Sequence, residues 1–400
     1  MNIHEYQAKQ ILSRYGIEIP KGGIAYTPAE AKRVAVNISS KGPWMLKAQI
    51  QSGARADGKF IEKRAGKKGG IRYVAGRKDV FAEAEKMLGS TLVTNQTGLK
   101  GKSVSKVYIE EHVVVKQTFY MSFVIDRMVP CVKLLVADAT ENILDLAITD
   151  SEKILSINLD INEKISSEQI NAILKFLKIE TSFAKKLKKF VVGLYKAFIE
   201  LDAIMIEINP IGISKKGNFI ALDAKISFDD NALYRHKDIA KLHDDYEDED
   251  RVLRASKYGF QYRSFDDGSI GCIVNGEGIA LSIRDILVNT DEKMDCFLNV
   301  KGGVDKDKIS AGIKIIMTNP KVEGVLINIL GGFLRCNLVA DGIIAAASEV
   351  GLNVPLVVRF EGTNKEEATE ILQSSGLPIL MADTMEDGVK KLLRAMEESN

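Results

Sequence analysis

Between residues 204 and 225 a carboxylate, an amide, a second carboxylate and an ammonium stand at matched spacing. Glu207, Asn209 and Pro210 lie on one apolar run, Asp223 and Lys225 on another, and Lys215-Lys216-Gly217-Asn218 separates them. Apolar residues alternate with polar ones on both arms around a short glycine-containing loop, so the stretch reads as a β-hairpin. With the turn centred near Lys216, Asn209 falls opposite Asp223 and Glu207 opposite Lys225, and all four side chains share one sheet face. An amide oxygen beside a carboxylate is hard oxygen ligation, suited to Mg²⁺ that takes its remaining ligands from water and nucleotide phosphates. An ordinary solvated hairpin face with one salt bridge has the same pattern.

The chain that must position these groups has 400 residues, enough for two or three domains with cores of their own. Lys and Arg number 55 against 54 Asp and Glu, so no net field favours nucleic acid or an anionic membrane. No apolar run reaches the length of a membrane span, and the start, with Ile3, Tyr6, Ala8, Ile11 and Leu12 at helical spacing, does not read as a signal peptide. A cytoplasmic protein, or one of an organelle matrix, is the expectation. Cys131, Cys272, Cys296 and Cys336 show no paired spacing, which argues against disulfides or a zinc site. The four histidines, His4, His112, His236 and His243, lie apart from nucleophiles and from second metal ligands in sequence. Histidine chemistry would have to come from elsewhere.

Residues 1–240 mix helices with hairpins in an α+β pattern. Thr27-Pro28-Ala29-Glu30 opens a helix to about Asn37, with Pro at the first helical position. Strands are expected at Trp44–Ile50, Val104–His112 and Thr118–Asp126, with a helix at Val80–Leu88 and one long helical stretch from about Ser167 to Glu200. Residues 241–267 read as a charged linker. From residue 268 strands and helices alternate strictly: strands at Ile270–Asn275, Phe297–Val300, Gly324–Leu330, Pro355–Phe360 and Pro378–Met381, each followed by a helical pattern. Five such units imply an α/β doubly wound parallel sheet with ligands beyond the carboxyl ends of its strands. Glycines cluster at that edge, at Gly276 and Gly278, Gly302 and Gly303, and Gly331 and Gly332. Glycine-rich turns into helix starts offer free N–H groups to a phosphate or carboxylate, although glycine also simply permits tight turns.

From Asn2 to the last helix the sequence resembles the β subunits of ADP-forming succinyl-CoA synthetases. The resemblance is carried by Glu207-Ile208-Asn209-Pro210 with Leu222-Asp223-Ala224-Lys225, by Gly42-Pro43-Trp44-Met45-Leu46-Lys47, by Leu92-Val93-Thr94-Asn95-Gln96-Thr97-Gly98, by Ile270 to Gly276, and by Gly331-Gly332-Phe333-Leu334-Arg335-Cys336. It implies an ATP-grasp region at 1–240 and a flavodoxin-like domain at 268–400. It also implies a separate α subunit that carries a phosphorylated histidine and most of the coenzyme A site, in an αβ or (αβ)₂ assembly. ATP or ADP with Mg²⁺ would exchange a phosphoryl group with that histidine, and succinate would be converted to its CoA thioester.

Position by position, the resemblance implies that Lys47, Gly53, Ala54, Arg55 and Glu110 bind nucleotide and that Asn209 and Asp223 hold Mg²⁺. Glu207 would orient the visiting histidine, while Asn275, Gly332, Phe333 and Leu334 would supply part of the carboxylate site. There are departures. Gln51-Ser52-Gly53-Ala54-Arg55 replaces the usual His-Ala-Gly-Gly-Arg and is followed by an apparent insertion at 56–65, whose Lys59, Lys63 and Arg64 could add a phosphate contact. Gly-Ala-Arg is similar to malate-CoA ligases, the alternative within the enzyme class. Thr118 stands in place of a glutamate, Lys301 in place of a glycine, and the stretch from Asp138 to Glu141 lacks a Gly-Gly. Glu277 occupies a helix start that would face the phosphohistidine. A carboxylate about 5 Å from phosphate would cost roughly 3 kcal/mol per charge pair at an effective dielectric near 20, unless it turned outward or paired with a cation such as Lys301. A nucleotide-binding partner with impaired turnover is therefore a third reading.

Overall fold

The computed structural model describes residues 1–126, 128–138, 146, 148–161, 164–247, 250–265, 267–303 and 305–399, the side chain of 246 excepted. Contacts divide the chain into two compact units, Met1–Glu247 and Asp248–Asn400.

In the first unit a four-stranded antiparallel sheet runs in the order Gly22–Ala25, Val107–Glu111, Trp44–Ala48, Ile71–Val74. Side-chain alternation gives it two unlike faces. Trp44, Leu46, Ala48, Val107 and Ile109 join a core with Ala31, Ala35, Val80 and Ala84 from the helices Pro28–Ile38 and Arg77–Met87. The intervening Met45, Lys47 and Glu110 point the other way, into a cavity. Thr27 caps its helix through the Glu30 amide, as its sequence suggests, while the Glu30 carboxylate reaches back to the Tyr26 amide.

The other large sheet of this unit runs Leu155–Leu159, Val132–Asp138, Gln117–Ile125, Ala203–Ile213, Phe219–Ala221, with Lys225–Phe228 also paired to Ala203–Ile213. The hairpin register is the one read from the sequence: Glu207 pairs with Lys225, and Ile211 with Ala221. The second arm differs from expectation, because it is interrupted between Ala221 and Lys225. Asp223 lies in that gap. On the other side of the Glu207 strand the pairing slips by one residue between Ile208 and Ile211. Asn209 and Pro210 thus form a bulge, a device that re-aims side chains next to functional sites. Gly217 turns the hairpin at φ +73°, a conformation that L side chains rarely adopt.

The helical stretch expected from Ser167 to Glu200 is two helices, Ser167–Phe176 and Ala184–Glu200. After Leu177 the chain enters a left-handed conformation at Lys178 (φ +54°), and the Ile179 amide returns to the Leu174 carbonyl. Both halves can then lay their apolar faces on one core: Ile170, Ile173 and Leu174 from the first, Phe190, Val191, Leu194 and Phe198 from the second. Residues 139–145, where the missing Gly-Gly was noted, lie outside the described residues.

Among its described residues the second unit forms a sheet in the order Gln261–Ser264, Met294–Asn299, Ile270–Val274, Gly324–Gly331, Leu356–Gly362, Ile379–Met381. The last five are parallel, with the helices that lie between them in sequence returning the chain to the next strand. Their order, 2-1-3-4-5, is the flavodoxin-like order. Gln261–Ser264 adds an antiparallel edge. The stretch expected to be a charged linker therefore supplies a strand, and the helix Asp250–Ser256 besides, with Ala255, Phe260 and Tyr262 in the core. Its charges misled because edge elements bury only part of each residue. All four cysteines are unpaired, and among the described residues no helix is long and apolar enough to cross a membrane.

Candidate active site

Within the first unit one cavity of about 560 Å³ is lined by all eight of its expected site residues, Lys47, Gly53, Ala54, Arg55, Glu110, Glu207, Asn209 and Asp223. Strand parity delivers Lys47 and Glu110, the interrupted hairpin delivers Glu207, Asn209 and Asp223, and the loop after Trp44–Ala48 delivers the rest. That loop is held at both ends. The Gly53 amide donates to the Gln96 side chain, and the Gly70 amide donates to the Arg55 carbonyl. A Cβ on Gly69 would lie 1.9 Å from the Ala56 carbonyl oxygen, so only glycine allows this approach. Ala54 sits at φ +54°. Of the apparent insertion, Ala56 and Asp57 reach the cavity. Lys59 instead lies on a short strand paired with Thr91–Val93, and Arg64 donates to the Leu88 carbonyl. Lys59, Lys63 and Arg64, the cations of the apparent insertion, make no wall of the cavity.

The charges in the cavity wall compensate one another. The Lys47 ammonium is 2.7 Å from Glu5, 2.7 Å from Glu110 and 2.6 Å from the Leu222 carbonyl. Arg55 donates to Glu5 at 2.8 Å, to Asp223 at 2.7 Å and to the Ala48 carbonyl at 2.8 Å. Burial works against the Lys47 ammonium, but the Glu110 and Glu5 carboxylates outweigh it and hold its pKa above the ordinary lysine value. For Glu5, burial would raise the pKa, yet Lys47, Lys9 and Arg55 hold it well below the ordinary range. Glu207 differs. Burial pushes its carboxyl up, against the pull of Lys225 and with help from the Asp223 charge, and the Tyr120 hydroxyl lies 3.4 Å away. Its folded pKa is raised, so ionised Glu207 opposes folding above that pKa and the opposition fades as pH falls through it. Glu207→Gln is expected to leave the melting temperature unchanged or higher, because the amide carries no charge into the buried site. Parallel melts of parent and variant check this; a lower melting temperature for the variant would show that the carboxylate stabilises the fold.

For Mg²⁺ the donors are of the right kind. Asn209 and Asp223 offer an amide oxygen and a carboxylate on one wall, and Asp223 already faces a cation, because its Oδ2 accepts from Arg55 while Oδ1 accepts from the Ala224 amide. Asn209 and Asp223 would hold the ion.

Among the described residues of the second unit, Asn275 directs both ends of its amide to Leu330, donating to its carbonyl at 2.6 Å and accepting from its N–H at 2.8 Å. It ties together the ends of two neighbouring parallel strands. Phe333 is 98% exposed, whereas Leu334 is 2% exposed and belongs to the core, so its side chain cannot meet a ligand. Glu277 does pair with a cation, but it is Arg263 of the edge strand, 2.9 Å away, and not Lys301.

Residues 2–213 match the ATP-grasp domain family and residues 273–393 the CoA-ligase family. Over the full length of both chains the sequence is 43% identical to the succinate–CoA ligase [ADP-forming] subunit beta of Rhodospirillum rubrum, and 42% identical to that of Nitrobacter winogradskyi. The chain belongs to the family of succinate–CoA ligase β subunits. The fold is also that of an ATP citrate lyase from Methanothrix soehngenii, solved with citrate and coenzyme A: TM-score 0.72 at 16% identity, covering 98% of this chain and 99% of that one.

Two residues of the site in this succinate–CoA ligase β-subunit relative escaped the sequence reading. Glu5 and Lys9 both lie on the first helix, Glu5–Arg14, and both are buried. The signal was present: they stand one turn apart on the stripe that carries Ala8 and Leu12, where an amphipathic helix should be apolar. Charges on a buried stripe must find partners.

Proposed function

We propose that the chain is the β subunit of a succinate–CoA ligase, coupling ATP/ADP phosphoryl transfer, through a phosphohistidine on a separate α subunit, to formation of succinyl-CoA. The observation that carries this reading is the convergence of Lys47, Arg55, Glu110, Glu207, Asn209 and Asp223 on one cavity of an ATP-grasp fold whose full-length relatives bear that name. Lys47 and Arg55 exchange carboxylate partners for nucleotide phosphates, which suits a point charge and a planar fork respectively. Mg²⁺, when bound by Asn209 and Asp223, offsets charge on the transferred phosphoryl group. Glu207, with the Lys225 charge opposite it, accepts an N–H of the incoming imidazole and fixes its orientation. The carboxylate substrate meets the backbone of Gly332 and Phe333 at the carboxyl edge of the parallel sheet, where doubly wound folds bind ligands.

Co-purification with the α subunit, followed by CoA-thioester assay with Mg-ATP and succinate or malate side by side, tests the reading. Preference for succinate is expected. Preference for malate would reassign the acid, and no thioester from a well-formed complex would overturn the catalytic assignment. Arg263 neutralises Glu277 at a half-exposed pair worth less than about 1 kcal/mol. Glu277→Ala is therefore expected to phosphorylate the α histidine at the parental rate, and a faster rate in rapid-quench measurements would show that the carboxylate opposes the phosphate.

A further inference from the structure

We infer that Lys9 is a positioning residue for nucleotide binding: it is the counter-charge that keeps Glu5 and Glu110 satisfied when Lys47 and Arg55 turn to phosphate. The inference rests on the nucleotide-site reading above and names a residue outside the cavity wall. Lys9 is fully buried, and its ammonium donates to Glu110 Oε2 at 2.5 Å and to the Leu222 carbonyl at 2.6 Å and forms an ion pair with Glu5 Oε1 at 2.9 Å. Lys47 contacts the same three residues. Two ammonium groups thus share one set of acceptors, one at the cavity and one behind it.

The sharing matters because the site has no surplus of positive charge. Lys9, Lys47 and Arg55 face Glu5, Glu110 and Asp223, three cations against three carboxylates. Lys47 is already held in the protein by two hydrogen bonds and by its ion pair with Glu110. A polyphosphate can recruit Lys47 only if the carboxylates it leaves keep another cation, since an unpaired buried carboxylate is costly. Arg55 holds one oxygen of Glu5, and Lys9 alone among the described residues contacts both Glu5 and Glu110 as Lys47 does. Lys9 also holds the Leu222 carbonyl beside Asp223, so the interruption of the hairpin keeps one anchor when Lys47 departs.

Removing Lys9 leaves the cluster one charge negative, and the change should appear in nucleotide affinity before it appears in catalysis. The test is calorimetric titration of Mg-ADP into the full chain purified with its α subunit, for the parent, Lys9→Met, Glu5→Gln and the double variant, with melting temperatures for each. Lys9→Met is expected to bind about 10- to 100-fold more weakly, on the scale of one charge in a low-dielectric cleft. The double variant restores the charge balance and should return to within a few-fold of the parent. In steady state Lys9→Met should raise the KM for ATP more than it lowers kcat. Affinity within twofold of the parent would overturn the inference, as would a folded double variant that stays as weak as Lys9→Met, since that would make Lys9 a packing residue. If Lys9→Met alone does not fold, the double variant must bind more weakly than Glu5→Gln, and equal affinity would overturn it. A parent complex that binds no Mg-ADP would instead refute the nucleotide-site reading itself.

Discussion

On the reaction proposed above, Asp223→Ala, in the full chain bound to its α subunit, is expected to lower phosphorylation of the partner histidine by about 10²–10³-fold, the scale for losing one group preorganised on developing charge. The variant removes a hard oxygen from the wall that also carries Asn209, so the Mg²⁺ concentration for half-maximal rate should rise together with the loss of rate. Arg55 loses one partner but keeps Glu5 and the Ala48 carbonyl, so the loop should remain placed, with a stability loss smaller than that of Glu5→Ala because the Asp223 side chain is 21% exposed. Unchanged activity would remove Asp223 from metal binding. A rate loss with an unaltered Mg²⁺ dependence would move its role to holding Arg55.

The second large effect concerns stability. Glu5 is the only carboxylate among the described residues that contacts Lys9, Lys47 and Arg55 together. Glu5→Ala strips one partner from each and leaves an excess buried charge, a change that costs about 3–5 kcal/mol when a buried pair is broken from one side. Chemical denaturation of the first unit's transition should show a loss of that order, and a loss below about 1 kcal/mol would mean that the cluster is well solvated. The folded pKa of Glu5 lies well below its ordinary 4.5, so its contribution is present above that pH and declines as pH falls toward the folded value. Acid titration of stability should therefore be less steep in Glu5→Gln, which has no proton to take up there.

A second ionic cluster, on His4 next to the cavity-lining Ile3 and Glu5, shows why ligand-like geometry needs its neighbours. His4, Asp244 and Glu247 lie close enough together to hold a metal ion, but the Lys106 ammonium sits on Asp244 and that of Lys102 on Glu247. These lysines already supply the positive charge. Burial lowers the His4 pKa despite its 2.6 Å contact with Asp244. The cluster ties the segment around residue 244 to the first helix.

Much of this protein was legible from local pattern. Alternation and turn chemistry are short-range properties, so the hairpin register that sets Glu207 against Lys225, and the five βα units whose glycines mark the carboxyl edge, followed from the residues alone. Lys47 and Glu110 stand out only through the family resemblance; the structure shows that the two-residue repeat of their strands puts them off the core face. The tertiary structure decided the rest, because it depends on which distant groups meet. The bulge at Asn209 arises from pairing with the strand Gln117–Ile125, and the interruption of the second arm at Asp223 is not announced by its local pattern. The break after Leu177 serves a core shared by two helices, and edge-strand pairing turned an apparent linker into part of a sheet. Above all, nothing local says that Glu5 and Lys9 lie against Lys47, Glu110 and Leu222: charge compensation in a buried site is a property of groups up to 213 positions apart in the chain.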